Sequence, residues 1–279
     1  MLTLIRDRAR QLVKAQRQRL ALRRVARATC SAAPLAKEVD GQRLRNIFAS
    51  PEIAREWRSA ERTIADLGIA DKALGVNPGD RRALYYLVRA FRTRTLLEIG
   101  THIGASTVHA AAALRANRSE EGGDSYRMTS VDLIDVNDPR SAPWVRYGSR
   151  LSPRGLVTAV GAGDHVTFVI APALQYLRSC DDRYDFVFLD GDHSATAVYQ
   201  EIVAALRVLN QGGVVLLHDY FPRLRPLWSN DSVISGPWLG AQRLKAEGAG
   251  IDILPLGELP WETKLSSSVT SLALLVGTK

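Results

Sequence analysis

The sequence predicts an α/β fold built on a doubly wound, mostly parallel sheet, and three observations point to it. Short apolar runs alternate with segments of helical spacing from about residue 80 onward, a pattern typical of parallel sheets. The first of these runs, residues 96–99, ends in a glycine turn that opens a helix over residues 107–115. Acids and histidines follow the ends of several runs, which is where open α/β sheets bind ligands.

The first turn indicates which kind of ligand is bound. Gly100 and Gly104 lack a Cβ, so a ligand can approach the backbone closely, and the helix that follows offers free N–H groups. The spacing Glu-x-Gly-x-x-x-Gly differs from the G-x-G-x-x-G of a pyrophosphate site, which disfavours a nucleotide-dependent oxidoreductase. Glu98 would repel phosphate, but it suits a ligand that carries an ammonium or sulfonium group.

The second strand is predicted over residues 126–131, after a polar loop over residues 117–125. It ends at Asp132, where an acid can accept hydrogen bonds from both hydroxyls of a ribose. Asp135 is the competing candidate, and we prefer Asp132 because it directly ends the apolar run.

Three further strands follow. Val166–Ile170 is predicted as the third strand, with a helix from about Ala173, and Tyr184–Leu189 as the fourth. The next helix has apolar residues at helical spacing up to Leu209, and residues 210–213 predict its glycine C-cap. The fifth strand, residues 214–217, leads into a histidine, an acid and a tyrosine.

The combination of residues 188–193, the glycine pair 212–213 and residues 217–220 resembles a bacterial group of class I S-adenosylmethionine-dependent methyltransferases. That group includes antibiotic and sugar O-methyltransferases and is similar to catechol O-methyltransferase. The resemblance covers roughly residues 77–279. It implies a seven-stranded sheet with three helices on each face and a last strand, residues 270–276, antiparallel beside the fifth. It also implies methyl transfer to a hydroxyl of a small molecule, such as a saccharide or a phenolic compound.

The resemblance also implies roles for individual residues. The cofactor, S-adenosyl-L-methionine, is expected to contact Glu98, Gly100, Thr101, Gly104, Ser106, Asp132 and Asp190. Asp190 and Asp219 match positions that hold magnesium in metal-dependent relatives, and two carboxylates with substrate oxygens can satisfy that ion. Tyr220 replaces the asparagine that completes the metal site of the catechol enzymes.

Two histidines complete the predicted site. His193 matches the lysine base of the catechol enzymes and, with Asp190, is the expected catalytic group, because an imidazole takes a hydroxyl proton near neutral pH. The alternative is that His193 caps the next helix or bonds to the loop backbone. His218 is a weaker candidate metal ligand, and a structural hydrogen bond to Asp190 or Asp192 is the favoured alternative.

The acceptor pocket is expected from residues 142–146 and from residues 221–238, which contain Trp228 and Trp238. Aromatic rings beside a polar cleft suit a sugar or a phenol. The alternative is that these tryptophans only pack their own loops.

The basic charge of the chain is concentrated at its start. Residues 1–28 contain eight arginines and one lysine against one aspartate, and the remaining residues are neutral in sum. The apolar residues of this arm form a partial helical stripe, which predicts peripheral contact with an anionic membrane or packing on a second subunit. The predicted organisation is therefore a basic arm (1–30), a helical cap or dimerisation segment (31–76) and a methyltransferase domain (77–279).

Composition limits the remaining possibilities. The sequence has no run of 18 apolar residues, which argues against a membrane-spanning helix, and two cysteines indicate reduced thiols in the cytoplasm. We expect a small-molecule acceptor, no specific nucleic acid and a homo-oligomer. The alternative function is a non-catalytic protein of this fold that docks on a membrane or polyanion through its arm.

Overall fold

The computed structural model describes residues 2–69, 75–121 and 126–278, and a seven-stranded sheet lies at its centre. The strands are β1 (Thr95–Ile99), β2 (Arg127–Asp132), β3 (Val166–Ile170), β4 (Tyr184–Leu189), β5 (Leu209–Leu217), β6 (Ile251–Pro255) and β7 (Ala273–Gly277). They lie in the order β3-β2-β1-β4-β5-β7-β6, with β1 to β5 parallel and β7 antiparallel to both neighbours. The predicted doubly wound fold, including the last strand beside the fifth, is confirmed.

Helices cover both faces of the sheet. They are α1 (Leu2–Arg23), α2 (Gly41–Phe48), α3 (Pro51–Ala65), α4 (Pro78–Ala90), α5 (Ala105–Glu121), α6 (Pro143–Arg146), α7 (Pro153–Ala159), α8 (Ala173–Ser179), α9 (Ala195–Arg207) and α10 (Gly236–Ala246). Buried side chains of α2, α3, α4, α5 and α7 form one apolar cluster, and those of α1, α8, α9 and α10 form the other. The sheet separates the two clusters because successive strand residues point to opposite faces.

Local capping fixes the helices that border the carboxyl edge of the sheet. Asn77 caps α4 by accepting a hydrogen bond from the backbone N–H of Asp80, and Pro78 occupies the first turn. Ser194 caps α9 in the same way, through the N–H of Ala197. Such caps satisfy N–H groups that have no partner within the helix, so these two helices start at defined points beside the strand ends.

Two local predictions are wrong. Residues 210–213 do not cap a helix but belong to β5, because the N–H groups of Gly212 and Gly213 donate to the carbonyl of Pro34 instead of closing α9. The predicted loop over residues 117–125 is helical as far as Glu121, and its last four residues lie outside the described part. β6 was not predicted at all.

The segments before the sheet pack closely on it. Trp57 and Ile64 of α3 join the same apolar cluster as α4 and α5, and Leu22 of α1 joins the cluster of α9 and α10. The division at residues 30 and 76 stays a prediction. Within the ranges given above, no helix is both long and apolar enough to cross a membrane.

Candidate active site

A cleft of about 960 Å³ opens at the carboxyl ends of β1, β2, β4 and β5. Its lining includes Gly100, His102, Asp132, Leu133, Tyr147, Ala171, Leu174, Asp190, Asp192, His193, Glu201, His218, Asp219, Trp228 and Lys264. Several predicted site residues are therefore brought together by the sheet, since the carboxyl ends of neighbouring parallel strands meet at one edge.

The two glycines of the first turn serve different purposes. Gly100 has φ 97°, and a Cβ there would lie 2.2 Å from the carbonyl oxygen of Asp190, so only glycine lets the ends of β1 and β4 approach each other. Gly104 has φ 76°, and a Cβ there would lie 2.8 Å from the Cα of Pro153. Gly104 is thus required for packing on α7, and it does not line the cleft.

Glu98 lies beneath the glycine turn, and its contact with the cofactor stays a prediction. Its carboxylate is completely buried under the turn and accepts hydrogen bonds from the hydroxyls of Ser106, Thr107 and Ser130, each at 2.6 Å. Burial raises the pKa of Glu98 to about 7, although the three hydroxyls act in the opposite direction. This carboxylate fastens β1 to α5 and β2, and it is not among the groups that face the cleft.

Ser106 and Thr101 are also turned toward the protein interior. The Ser106 hydroxyl is committed to Glu98, and the Thr101 hydroxyl lies 2.6 Å from that of Ser130. Both residues border a recess of about 20 Å³ beside the cleft. Their contact with a cofactor stays a prediction.

Asp132 lies in the cleft, as predicted. One of its oxygens accepts the backbone N–H groups of Thr101 and His102 at 3.1 and 2.9 Å, which ties β2 to the glycine turn. Its other oxygen has one long contact, 3.3 Å, with the N–H of Ile134. Asp135, the competing candidate, bonds to its own loop and borders a different depression. The structure favours Asp132 over Asp135 for this reason.

His218 lies at the centre of a buried group of carboxylates. Its Nδ1 is 2.7 Å from Asp190 Oδ1 and 3.7 Å from Asp219 Oδ2, and its Nε2 is 3.5 Å from Asp80 Oδ2. Burial by itself would lower the pKa of His218. The negative charges of Asp190 and Asp219, with the hydrogen bonds to the ring, outweigh burial and hold this pKa well above its usual value. The hydrogen bond to Asp190 is the structural role foreseen as the alternative to metal binding.

His193 is half-exposed at the rim of this group. Its Nε2 lies 3.6 Å from Asp219 Oδ2. It does not cap α9, because Ser194 does so. Asp219 has φ 54°, an uncommon conformation for a residue other than glycine, and its Oδ1 lies 3.5 Å from the hydroxyl of Ser271. The pair can abstract a proton, since a carboxylate stabilises the imidazolium that forms.

The fit of these side chains to magnesium is incomplete. Asp190, His193 and Asp219 each bring one donor atom to within 4.8 Å of the other two, but magnesium prefers an octahedron of oxygens. One oxygen of Asp190 is hydrogen-bonded to His218, so His218 is not counted among the metal ligands. The hydroxyl of Tyr220 is hydrogen-bonded to α10 and does not face the metal position. As they stand, these side chains do not fit magnesium, and no step below passes through a metal.

The acceptor end of the cleft is formed only in part by the predicted segments. Trp228, Ser232 and Ile234 line it. Residues 142–146 do not line the cleft, but the adjacent Tyr147 does. Trp238 is not among the lining residues. Trp228 also donates through Nε1 to the carbonyl of Val269 at 3.1 Å, so its ring both packs the loop and faces the cleft.

Three residues of the site were missed by sequence reasoning. Asp80 is the third residue of α4, and in the sequence its spacing from Asn77 indicates only a helix cap. In the structure its buried carboxylate also accepts a hydrogen bond from the hydroxyl of Thr270. Glu201 is a buried acid on α9 that lines the cleft, and burial raises its pKa to about 7. Lys264 reaches the cleft with its Nζ 4.9 Å from the ring centre of Trp228. No motif marks these last two.

Comparison with known proteins agrees with this geometry. A family model described as "Methyltransferase domain" matches residues 97–220, the stretch from β1 through Asp219. A protein of Mycobacterium sp. (strain JLS), whose name assigns it to the O-methyltransferases, is 27% identical over 206 residues, which are 72% of this chain and 81% of the relative.

Solved structures share the fold. The O-methyltransferase of Bacillus cereus in complex with S-adenosylhomocysteine matches with a TM-score of 0.51 and 16% identity, over 82% of this chain and 91% of the other. The O-methyltransferase TomG of Streptomyces achromogenes in complex with S-adenosylmethionine matches with a TM-score of 0.50 and 18% identity, over 86% and 100%. At these identities the likeness speaks for the fold alone. Taken with the family-model match over residues 97–220 and the mycobacterial relative, it makes the chain similar to the class I S-adenosylmethionine-dependent O-methyltransferases, which are enzymes.

Proposed function

We propose that the protein transfers the methyl group of S-adenosylmethionine to a hydroxyl of a saccharide or a phenolic compound. The charge of the cleft carries this proposal. Five carboxyl groups line it, namely Asp132, Asp190, Asp192, Glu201 and Asp219, against one lysine and the His218 imidazole with its raised pKa. An acidic cleft concentrates a ligand that bears an ammonium and a sulfonium group and repels a pyrophosphate.

Cofactor binding is assigned to the half of the cleft beside β1 and β2. Gly100 allows the close approach, and the less engaged oxygen of Asp132 is available to ribose hydroxyls. Beyond Asp132, Leu133 and Leu174 supply apolar walls of the kind that suits a purine ring. S-Adenosylmethionine, when bound, supplies an electrophilic methyl group whose bond to sulfur breaks as the bond to the acceptor oxygen forms.

The proton of the acceptor hydroxyl passes to His193. Asp219 lies close enough to stabilise the resulting imidazolium. Asp190 borders the same space, and His218 fixes its orientation, so we assign Asp190 to positioning the acceptor hydroxyl. Because methyl transfer is a direct displacement, alignment and exclusion of water can supply much of the rate.

The acceptor is assigned to the space between Tyr147, Trp228 and Lys264. Aromatic faces beside charged and hydroxyl groups suit a sugar ring or a phenol. A free hydroxyl is the group that the pair His193 and Asp219 can deprotonate.

The first test is calorimetric titration of the purified protein with S-adenosylhomocysteine, with and without magnesium. Micromolar binding supports the cofactor and is followed by a screen of phenols and saccharides for methylation. A magnesium-dependent gain in affinity or turnover would show that a metal ion replaces His218 as the partner of Asp190. Absence of binding by folded protein in both conditions contradicts the proposal.

Other expectations remain predictions. A small-molecule acceptor without specific nucleic acid, a homo-oligomer and a cytoplasmic location are consistent with the acidic cleft and the two free cysteines. Size-exclusion chromatography with light scattering tests the oligomer. The non-catalytic alternative is set aside, because the proteins that this chain resembles are S-adenosylmethionine-dependent O-methyltransferases.

A further inference from the structure

The first helix, α1, carries a face that the methyl-transfer site does not use. A narrow stripe containing Ala15 and Leu22 is buried against the body of the protein. On the rest of the helix surface, Leu12, Val13 and Leu20 are 68%, 53% and 47% exposed. Three large apolar side chains of α1 are thus exposed to solvent, while the buried stripe holds the helix in one orientation on the protein.

Cations surround these apolar side chains. Lys14, Arg17, Arg19 and Arg23 are exposed on the same helix, and Arg24, also exposed, follows its last residue. No aspartate or glutamate occurs between residues 8 and 37, and the chain beyond residue 28 is neutral in sum. We call the exposed apolar and basic residues between Leu12 and Arg24, on α1 and at its end, the basic face. The side chains of residues 2–9 lie outside the described part.

The helix is fastened to the protein by specific contacts as well as by its buried stripe. The guanidinium of Arg243 on α10 donates to the carbonyls of Leu22 and Val25, at the end of α1 and just beyond it. Tyr199 of α9 accepts from the N–H of Ala28 at 2.8 Å. A partner that binds the basic face therefore binds the whole enzyme in one orientation.

We propose that the basic face docks the enzyme on an anionic lipid bilayer. Helices that combine exposed apolar side chains with many cations lie in the interface of such bilayers, with the apolar groups below the headgroups. A symmetric contact between two copies would bring two faces of the same charge together, which is unfavourable. A nucleic-acid duplex would pair with the cations but would leave Leu12, Val13 and Leu20 without a role.

Docking would place the mouth of the cleft at the membrane surface. The side chain of Gln11 donates to the carbonyl of Asp231 at 2.9 Å, in the loop that supplies Ser232 and Ile234 to the cleft. Gln18 accepts from the N–H of Ala195 at 3.0 Å, at the start of α9 beside His193. Resting on the proposed function, this proximity favours acceptors held at a bilayer surface, whereas the docking itself does not depend on methyl transfer.

The test is flotation of the full chain with phosphatidylcholine vesicles, with and without phosphatidylglycerol. The triple variant Lys14→Gln, Arg17→Gln and Arg19→Gln is expected to bind the anionic vesicles about a hundredfold more weakly. A second variant, Leu12→Gln, Val13→Gln and Leu20→Gln, is expected to lose about tenfold, since apolar area no longer enters the bilayer.

The control removes the same charge from another exposed helix face. Arg55, Arg58 and Arg62 of α3 are exposed, and their replacement by glutamine is expected to change binding less than twofold, an effect of about 0.4 kcal/mol or less. Circular dichroism melting verifies that each variant is folded, and S-adenosylhomocysteine titration shows that the cleft is intact. Binding to anionic vesicles is expected even if the cofactor proposal fails.

Several results would overturn the inference. They are equal flotation with neutral and anionic vesicles, equal losses in the α3 control and the α1 variants, and unchanged flotation of either α1 variant. Tighter binding to a DNA duplex than to vesicles, insensitive to the three apolar changes, would assign the basic face to nucleic acid. A loss of self-association in the α1 variants, without a change in flotation, would assign it to a second copy.

Discussion

The two halves of the cleft are assembled in different ways. The cofactor half draws its groups from two short stretches, the turn after β1 and the end of β2, joined through Asp132. These stretches are 30 to 31 residues apart, and the contact of His218 with Asp190 in the acceptor half spans a similar 28 residues. The acceptor half also depends on a far more distant contact, that of Thr270 with Asp80 across 190 residues. Two short stretches of the chain, each following a predicted strand, can therefore specify the cofactor half, whereas the acceptor half also depends on how β4, β5 and β7 close the sheet.

The largest expected effect breaks the acceptor half alone. His193→Ala should lower kcat by about a hundredfold to ten-thousandfold, because a positioned general base contributes on that scale. The affinity for S-adenosylhomocysteine should stay unchanged, as His193 borders the acceptor. Steady-state kinetics with an acceptor from the screen measure the effect, and His165→Ala, which removes a histidine stacked on Tyr126, is the control. Equal kcat in the two variants would contradict the assigned base.

The next effect breaks the cofactor half. Asp132→Ala should weaken binding of S-adenosylhomocysteine by about a hundredfold, since a carboxylate that accepts two hydrogen bonds is lost, while kcat at saturation changes little. Calorimetry measures the affinity. The matched control is Asp135→Ala, which removes the competing acid in the same loop; a larger loss there would reverse the choice between them.

A third change sharpens the comparison, because it acts on the acceptor half from outside the cleft. Asp80→Asn should lower the free energy of unfolding by about 1–3 kcal/mol, as a buried charged acceptor is removed from Thr270 and His218. Since Asp80 acts through His218 and Asp190, we also expect a lower kcat with little change in cofactor affinity. Chemical denaturation and the pH profile of kcat provide the readouts, with exposed Asp66→Asn as control. Unchanged stability and pH profile would rule out this positioning role.

The smallest effect concerns the turn that both halves share. Glu98 has a native pKa of about 7 against an ordinary value of 4.5, so its native state binds a proton between these values. The stability this contributes is fully present below pH 4.5 and is lost as pH rises through 7. In the unmodified protein the free energy of unfolding should therefore fall between pH 6 and 7 as Glu98 loses its proton. Glu98→Gln should make this fall smaller by up to about 1.4 kcal/mol. Thermal unfolding at a series of pH values measures it, and an identical fall in both proteins would contradict the protonation of Glu98.

Much of the cofactor half could be predicted from the sequence. Gly100 and Asp132 follow apolar runs directly, and a parallel sheet brings the ends of adjacent strands together. Glu98 shows where this reasoning fails. Both faces of β1 are buried, so its residues form a continuous apolar run without alternation. The face to which Glu98 points is therefore not encoded in the local pattern.

The acceptor half could be predicted less completely. The positions of Asp190 and Asp219 at strand ends follow from the strand pattern, and their order along the chain follows from the resemblance. Asp80 and Lys264 come from segments whose local patterns indicate only a helix cap and a loop. The tertiary packing of α4 brings Asp80 to His218 behind the cleft, and the packing of the chain before β7 brings Lys264 into the cleft.

The sequence by itself determined the first five strands in their order along the chain, the glycine turn and the acids at the strand ends, because these depend on hydrophobic periodicity and backbone freedom over a few residues. Only the tertiary structure decided that Glu98 is buried beneath the turn, that His218 joins Asp190 to Asp80, and that α1 presents a basic face beside the cleft. Those outcomes depend on which face of each element packs against a distant partner, and burial then sets the hydrogen bonds and the pKa values of the groups enclosed.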